Sequence, residues 1–430
     1  MLDINLFRNE QAREKIKVSE KKRFREKNVE IVDTIHKLDE ERIRVNFRLD
    51  NKNRELNTIQ NKLTQAFKQN NKENSEESLE TIKNQRQTVK KEAEELKTRA
   101  QSIKSEIDKL LFGIGNILDD SVPVHRTDDG NVVVSTHRGF RDCSSSPKGY
   151  AELMKDFTNA EAGAAVVGHR GFYLQGKMAL LSRALKNYAI DFVTEKGFEY
   201  VQTPVMMRMD VMGKTSQLSD FHEQLYKVED DLYLIATSEQ PLTALFMNKK
   251  LTDVELPKLL AGDSLCFRKE AGAYGKDNAG IFRVHQFDKV EQFVICKPEE
   301  SAEMHEKMLK ISEEFYQSLG LTYQVVLISS GEMNDAASKK YDLEAWFPNA
   351  KKYRELVSAS NCTDYQSRNL NVGHGFPKEN ERQSYVHMLN ATLCAVQRSL
   401  CCIVENYQDG NKIIVPDVLK PYTKFDSIDL

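Results

Sequence analysis

The stretch that decides the fold runs Cys266-Phe267-Arg268-Lys269-Glu270, then a loop carrying Gly272, Gly275 and Gly280, then Ile281-Phe282-Arg283-Val284-His285-Gln286-Phe287-Asp288-Lys289-Val290-Glu291-Gln292-Phe293. Two alternating halves around a glycine-bearing loop predict an antiparallel β-hairpin. Period two places Arg268 and Glu270 on one face of the first strand. It places Arg283, His285 and Phe287 on one face of the second. Guanidinium forks beside an aromatic ring suit a nucleotide, the forks for phosphates and the ring for a base. The same pattern also fits a charged, half-exposed hairpin, and the hairpin alone leaves both readings open.

Downstream, Tyr353-Arg354-Glu355-Leu356-Val357-Ser358 reads as a strand. Glu355 and Ser358 offer oxygen ligands of the kind Mg²⁺ accepts. Val386 to Thr392 leads into a helix through Val404, with Arg398 in its middle among apolar neighbours. Such an arginine needs an anionic partner. Upstream, Met178 to Lys196 has helical spacing and stops at Gly197. Phe198 to Met206 is a short strand interrupted by Pro204. Asp231 to Thr237 is another strand, running into a helix start at Ser238-Glu239-Gln240-Pro241.

Toward the N-terminus the character changes. Residues 26–110 lack Pro and Gly. Apolar residues recur by threes and fours from Ile31 through Ile35, Leu38, Val45, Leu49, Leu56, Ile59 and Leu63 to Ala66, with Arg42 and Lys52 at skipped seam positions. A second run goes from Leu79 and Ile82 through Val89, Ala93, Leu96, Ala100, Ile103 and Ile107 to Leu110, with Arg86 in one slot. This seam predicts a coiled coil. The polar breaker from Lys68 to Ser75 folds it back as an antiparallel hairpin of two helices about 50 Å long. Residues 25–112 carry 19 Lys and Arg against 17 Asp and Glu. A dimerisation coiled coil and a lever lying along a phosphate backbone both fit that balance. Small helices are expected around Asn9 to Lys17, and irregular connection over 119–150.

At 430 residues the chain holds two or three domains. A net charge of −3 means that nucleic acid must be met by local patches or by shape. The start Met1-Leu2-Asp3-Ile4-Asn5 has neither a signal-peptide run nor a basic presequence character. No stretch of about 18 apolar residues occurs, which excludes a spanning helix. Seven cysteines without CxxC spacing read as reduced thiols of a cytosolic protein, with Cys401-Cys402 in the core.

Together these blocks resemble the class II aminoacyl-tRNA synthetases, and within them the seryl-tRNA synthetases of the eukaryotic cytosolic type. Gly197 to Pro204 looks like the family's first motif, residues 267 to 287 like its second, and Asn390-Ala391-Thr392 through Arg398 like its third. The Thr237-Ser238-Glu239 triplet, the Glu355–Ser358 run and the N-terminal hairpin are more particular to the seryl branch. The resemblance covers essentially the whole chain.

It implies an α+β fold: an N-terminal antiparallel helical hairpin over 1–118, a linker over 119–150, and a class II catalytic domain over 151–430, mainly an antiparallel sheet flanked by helices. It implies that L-serine attacks the α-phosphate of ATP and that seryl-adenylate then charges tRNA(Ser), with extension to tRNA(Sec). The implied catalytic arginines are Arg268 on the α-phosphate and Arg283 and Arg398 at the γ-phosphate. The implied ATP subsite comprises Arg268, Lys269, Glu270, Arg283, Val284, His285, Gln286, Phe287, the run Glu355-Leu356-Val357-Ser358, and Arg398. Phe287 stacks on adenine, and Glu355 and Ser358 carry Mg²⁺. The implied serine subsite is Thr237, Ser238, Glu239, Arg268, Glu291, Asn390 and Thr392. The implied partners are tRNA through the arm and the loop 271–280, and a second copy in a homodimer, in the cytoplasm and without a membrane.

Three features depart from the family pattern. The C-terminal Pro421 to Leu430 is not basic, Asp288 stands where Glu is usual, and the arm's tip looks short. A carrier-protein-loading relative would lack the arm. A catalytically silent homologue would lose Arg268, Glu291 or Arg398, and all three are present.

Overall fold

The computed structural model describes residues 1–430 except 69–75, 140–145, 216–223, 271–279 and 379–380. The chain divides into two units, one of Leu2–Lys21 with Arg25–Ile114, the other of Met1, Lys22–Phe24 and Gly115–Leu430.

The first unit is helical. Helices α1 (Ile4–Arg8) and α2 (Glu10–Lys22) precede the long α3 (Glu26–Lys68) and α4 (Glu76–Phe112), which pack on each other. The second seam is as expected, with Val89, Ala93, Ile103 and Ile107 buried. The first seam enters one residue later than expected, through Val32 instead of Ile31, and passes Asp39. That carboxylate is 1% exposed because Arg8 Nε reaches it at 2.5 Å and Arg42 Nη2 at 2.7 Å. The seam position expected of Lys52 is a charged crossing, with its ammonium 2.8 Å from Glu92 and 3.0 Å from Glu55. Arg86, also expected in the seam, is exposed.

The second unit is built on an eight-stranded sheet. Its strands are β1 (Val132–His137), β2 (Glu199–Gln202), β3 (Lys258–Phe267), β4 (Gln286–Cys296), β5 (Tyr323–Leu327), β6 (Lys339–Phe347), β7 (Lys352–Asn361) and β8 (His387–Ala395), in the order β1-β5-β6-β7-β8-β4-β3-β2. Every pairing is antiparallel except β2 with β3. The region expected as irregular connection therefore supplies β1, an edge strand whose exposed valines gave no core signal. One face of the sheet is apolar, with Leu343, Ala345, Val290, Val294, Leu389 and Ala391 buried. Three amphipathic helices cover it: α5 (Gly176–Glu195), α7 (Ser301–Ser318) and α9 (Val396–Asn406). Cys401 and Cys402 lie fully buried there. On the other face, Phe293, Ile295 and Met388 pack with Leu242 of α6 (Glu239–Ala244) and Leu370 of α8 (Tyr365–Leu370). Near the far edge of that face Val326 of β5 packs with Leu118 and Val122, and the stretch between these two apolar clusters is polar.

Two bulges shape it. Between β6 and β7 the register runs Glu344↔Glu355 and then Leu343↔Val357, so Leu356 has no partner. An extra residue shifts the alternation by one, and Glu355 and Ser358, three apart, share a face. Between β4 and β8 the register slips so that Glu291 faces Thr392.

Candidate active site

The polar face forms the wall of a cavity of about 250 Å³. On β4 the side chains of Phe287, Lys289 and Glu291 follow at period two and all line it. Glu291 is 2% exposed. Its Oε2 accepts from the Thr237 hydroxyl, from Ser238 Oγ at 3.0 Å and from the Glu239 amide at 2.9 Å. Its Oε1 pairs with the Lys289 ammonium. Burial opposes the charge of Glu291, yet Lys289 and the hydroxyl and amide donors hold the carboxyl below its usual range. Glu239, at the start of α6, lies beside it and accepts from Gln366 Nε2 at 2.8 Å. Burial first, then the charge of Glu291, pushes Glu239 up to about 7. Two neighbouring carboxyls thus have their proton affinities driven apart. Asn390 and Thr392 of β8 complete this end, Asn390 Nδ2 lying 3.7 Å from Cys362 Sγ.

At the other end the Arg268 guanidinium sits 5.2 Å from the centroid of the Phe287 ring. Here the expected alternation fails. Strand β3 ends at Phe267 and β4 begins at Gln286, so Arg268, Glu270, Arg283 and His285 flank the strands. One rung continues, the Arg268 amide donating to the His285 carbonyl at 2.9 Å, and the His285 ring nitrogen meets the Arg268 carbonyl at 2.9 Å. Glu270 then takes φ of +52°, which breaks the alternation and turns its carboxylate onto Arg283 Nη1 at 2.6 Å. Of the loop 271–280, residues 271–279 lie outside the described residues.

Arg398 stands in the first turn of α9, not mid-helix. Its anionic partner is Glu355, 3.4 Å from Nη1. Its guanidinium lies 5.1 Å from the Phe282 ring, with Arg354 5.0 Å from the same ring. Burial works against the ionised Glu355, but the charges of Arg398, Lys340, Arg268 and Lys289 outweigh it and hold the carboxyl low.

Fourteen expected residues meet in this cavity: Thr237, Glu239, Arg268, Glu270, Arg283, Val284, Phe287, Glu291, Glu355, Leu356, Ser358, Asn390, Thr392 and Arg398. Five do not line it. Ser238 is buried behind Glu291, and Val357 points into the apolar core. His285 and Gln286 border an adjoining cavity of about 700 Å³. The Lys269 ammonium lies 6.0 Å from the Tyr226 ring. Asp288 faces away, its carboxylate 3.0 Å from Lys186. Sequence reading missed Lys289, Lys340, Ser360 and Phe282. Only Lys289 had a signal, since Phe287 and Glu291 already define its face.

Residues 1–118 match the seryl-tRNA synthetase N-terminal domain, and residues 223–407 match the tRNA synthetase class II core domain (G, H, P, S and T). The serine–tRNA ligase of Encephalitozoon cuniculi is 57% identical over 430 residues, covering 100% of both chains. The chain belongs to the seryl-tRNA synthetases. Two solved structures of seryl-tRNA synthetases align along the whole chain. The cytoplasmic serine–tRNA ligase of Naegleria fowleri in complex with AMP is 40% identical with a TM-score of 0.87, covering 100% of this chain and 99% of that one. The seryl-tRNA synthetase of Pyrococcus horikoshii complexed with ATP is 37% identical with a TM-score of 0.91 and the same coverage. As a seryl-tRNA synthetase the chain ligates serine to tRNA, with ATP as substrate. Among its described residues no helix is long and apolar enough to cross a membrane.

Proposed function

We propose that serine and ATP meet in the 250 Å³ cavity, serine at the Glu291 end and ATP at the Phe287 end. The observation that carries this is Glu291 itself, a buried carboxylate with four protein donors in a pocket that continues to a guanidinium-covered ring. Glu291 and Glu239 recognise the ammonium and hydroxyl of serine, with Thr237, Asn390 and Thr392 around them. A pocket whose polar groups need the substrate hydroxyl rejects analogues lacking it. Adenine stacks on Phe287, with Glu270 at hand. Arg268 leaves its place over the ring to hold the α-phosphate. Arg283 and Arg398 exchange Glu270 and Glu355 for the γ-phosphate.

A divalent cation fits beside β7. Glu355 and Ser358 present hard oxygen donors on one face, and among the described residues the buried Oδ1 of the neighbouring Asp342 has no hydrogen-bond partner. Among the described residues no three His, Cys, Asp or Glu side chains could hold a metal alone, which suits Mg²⁺ bound partly through nucleotide phosphates. When bound there, Mg²⁺ would supply positive charge to the phosphate oxygens, with Glu355 and Ser358 holding it.

The helical unit lies along the tRNA backbone, reading shape, and tRNA(Sec) is charged along with tRNA(Ser). The enzyme works as a cytoplasmic homodimer. Exposed Val166, Val167, Tyr173, Leu180 and Tyr200 supply apolar surface for the second copy. Serine-dependent ATP–pyrophosphate exchange tests the assignment. The wild type exchanges with serine alone among the twenty amino acids, and Arg268→Ala abolishes exchange. Exchange that survives in Arg268→Ala would overturn it.

A further inference from the structure

Strand β4 carries three cavity-facing side chains in sequence: an aromatic ring, an ammonium and a carboxylate. The ring and the carboxylate have assigned partners, the base and the amino acid. The ammonium of Lys289 has none. A strand advances about 3.4 Å per residue, so Lys289 lies roughly 7 Å from each neighbour along β4. A base on Phe287 and a serine on Glu291 would bring their reacting ends together above that midpoint. Lys289 is 9% exposed, and among the described residues its ammonium is paired with Oε1 of Glu291 alone. An ammonium has three donors, so two remain for ligands.

We infer that Lys289 is a catalytic residue of adenylate formation, its ammonium placed under the junction of the serine carboxylate and the α-phosphate. The inference rests on the placement of serine and ATP given above. In the step itself a carboxylate oxygen bonds to the α-phosphorus. The bond from that phosphorus to the bridging oxygen breaks, and pyrophosphate leaves with the electron pair. No proton is transferred, so the protein's contribution is to bring two anions together and to stabilise the charge on the five-coordinate phosphorus. Arg268 can do this from the β3 side and Lys289 from the floor. A fixed cation in a water-poor site is effective because it needs no reorganisation as charge develops.

The competing role is structural, with Lys289 serving only to keep Glu291 ionised and aligned. A double-mutant cycle separates the two. Lys289→Gln alone strands the Glu291 charge and destabilises the fold for that reason, whereas Lys289→Gln/Glu291→Gln removes both charges and leaves no orphan. Pyrophosphate exchange is measured at saturating serine and ATP, with ATP affinity followed separately by calorimetry. The expected result is a kcat for the double variant about 100-fold below that of Glu291→Gln alone, with ATP affinity within about threefold. Lys289→Arg, which keeps the cation, is expected to retain at least about a tenth of the wild-type kcat. Equal kcat for the double variant and Glu291→Gln would overturn the inference, as would a Lys289→Arg enzyme no faster than the double variant. The wild type runs in parallel: absence of serine-dependent exchange there overturns the placement of the substrates, whereas normal exchange there with either failing result overturns the role of Lys289 alone.

Discussion

The Thr237 hydroxyl donates to Oε2 of Glu291, the same oxygen that takes the Ser238 hydroxyl and the Glu239 amide. One buried oxygen with three donors is held in direction as well as in charge. Thr237→Val keeps the shape and removes one donor. Losing a hydrogen bond to a buried charged acceptor costs about 1.5–3 kcal/mol. The kcat/KM for serine should therefore fall about 10- to 100-fold in pyrophosphate exchange, with the KM for ATP little changed.

At the nucleotide end, Arg283 is held 2.6 Å from Glu270. Arg283→Ala should raise the KM for ATP and lower kcat/KM for ATP by about 100-fold, with little effect on serine binding measured by calorimetry. A larger loss of serine affinity than of ATP affinity would place Arg283 at the wrong end of the cavity.

Glu239 gives a pH signature. Burial and the charge of Glu291 raise it from 4.5 to about 7. A carboxyl whose folded value lies above its unfolded value takes up a proton on folding, so its effect on stability worsens as pH rises from about 4.5 to about 7 and is fully unfavourable above that. Glu239→Gln cannot titrate. Relative to wild type it should therefore gain stability between pH 5 and pH 8, by about 2.5 kcal/mol. Paired thermal melts at the two pH values measure it.

In the helical unit, Arg8 and Arg42 together neutralise the buried Asp39. Burial opposes the ionised Asp39, and the two arginines overcome it and hold its carboxyl below the ordinary range. Arg8 is partly exposed, so Arg8→Ala should cost about 1–2 kcal/mol, less than a fully buried pair. Loss of helical circular dichroism should begin at lower temperature, while pyrophosphate exchange stays at the wild-type rate. Deleting residues 30–108 carries this further. Exchange should persist and tRNA charging should be lost, as measured with radiolabelled serine.

How much of this could be read from the chain depends on how local each cause is. The long helices were legible because their seams recur without Pro or Gly. Asp39 was not, because the arginine that permits its burial comes from a helix 31 residues earlier. The hairpin's strands were legible in their alternating halves. The Glu270–Arg283 pair was not placed by alternation, since a single positive φ redirects it. Strand β1 was passed over because an edge strand of exposed valines resembles a loop until its neighbour β5 is known. Lys340 and Asp342 enter the site only through their register opposite β7, which no local pattern announces.

Leu356 has the widest consequence of these details. Because it has no partner across the ladder, β7 works as a phase shifter: before it one parity of residue faces the nucleotide, and after it the other parity does. Copying Glu-x-x-Ser into a regular strand would point the two oxygens to opposite sides of the sheet. Deleting Leu356 here would instead remove the bulge and leave Glu-x-Ser in a regular ladder, with the two oxygens still on one face, so the extra residue changes the spacing at which the pair is written in the chain. A single uncounted residue thus acts as a reading-frame element at the level of the folded chain.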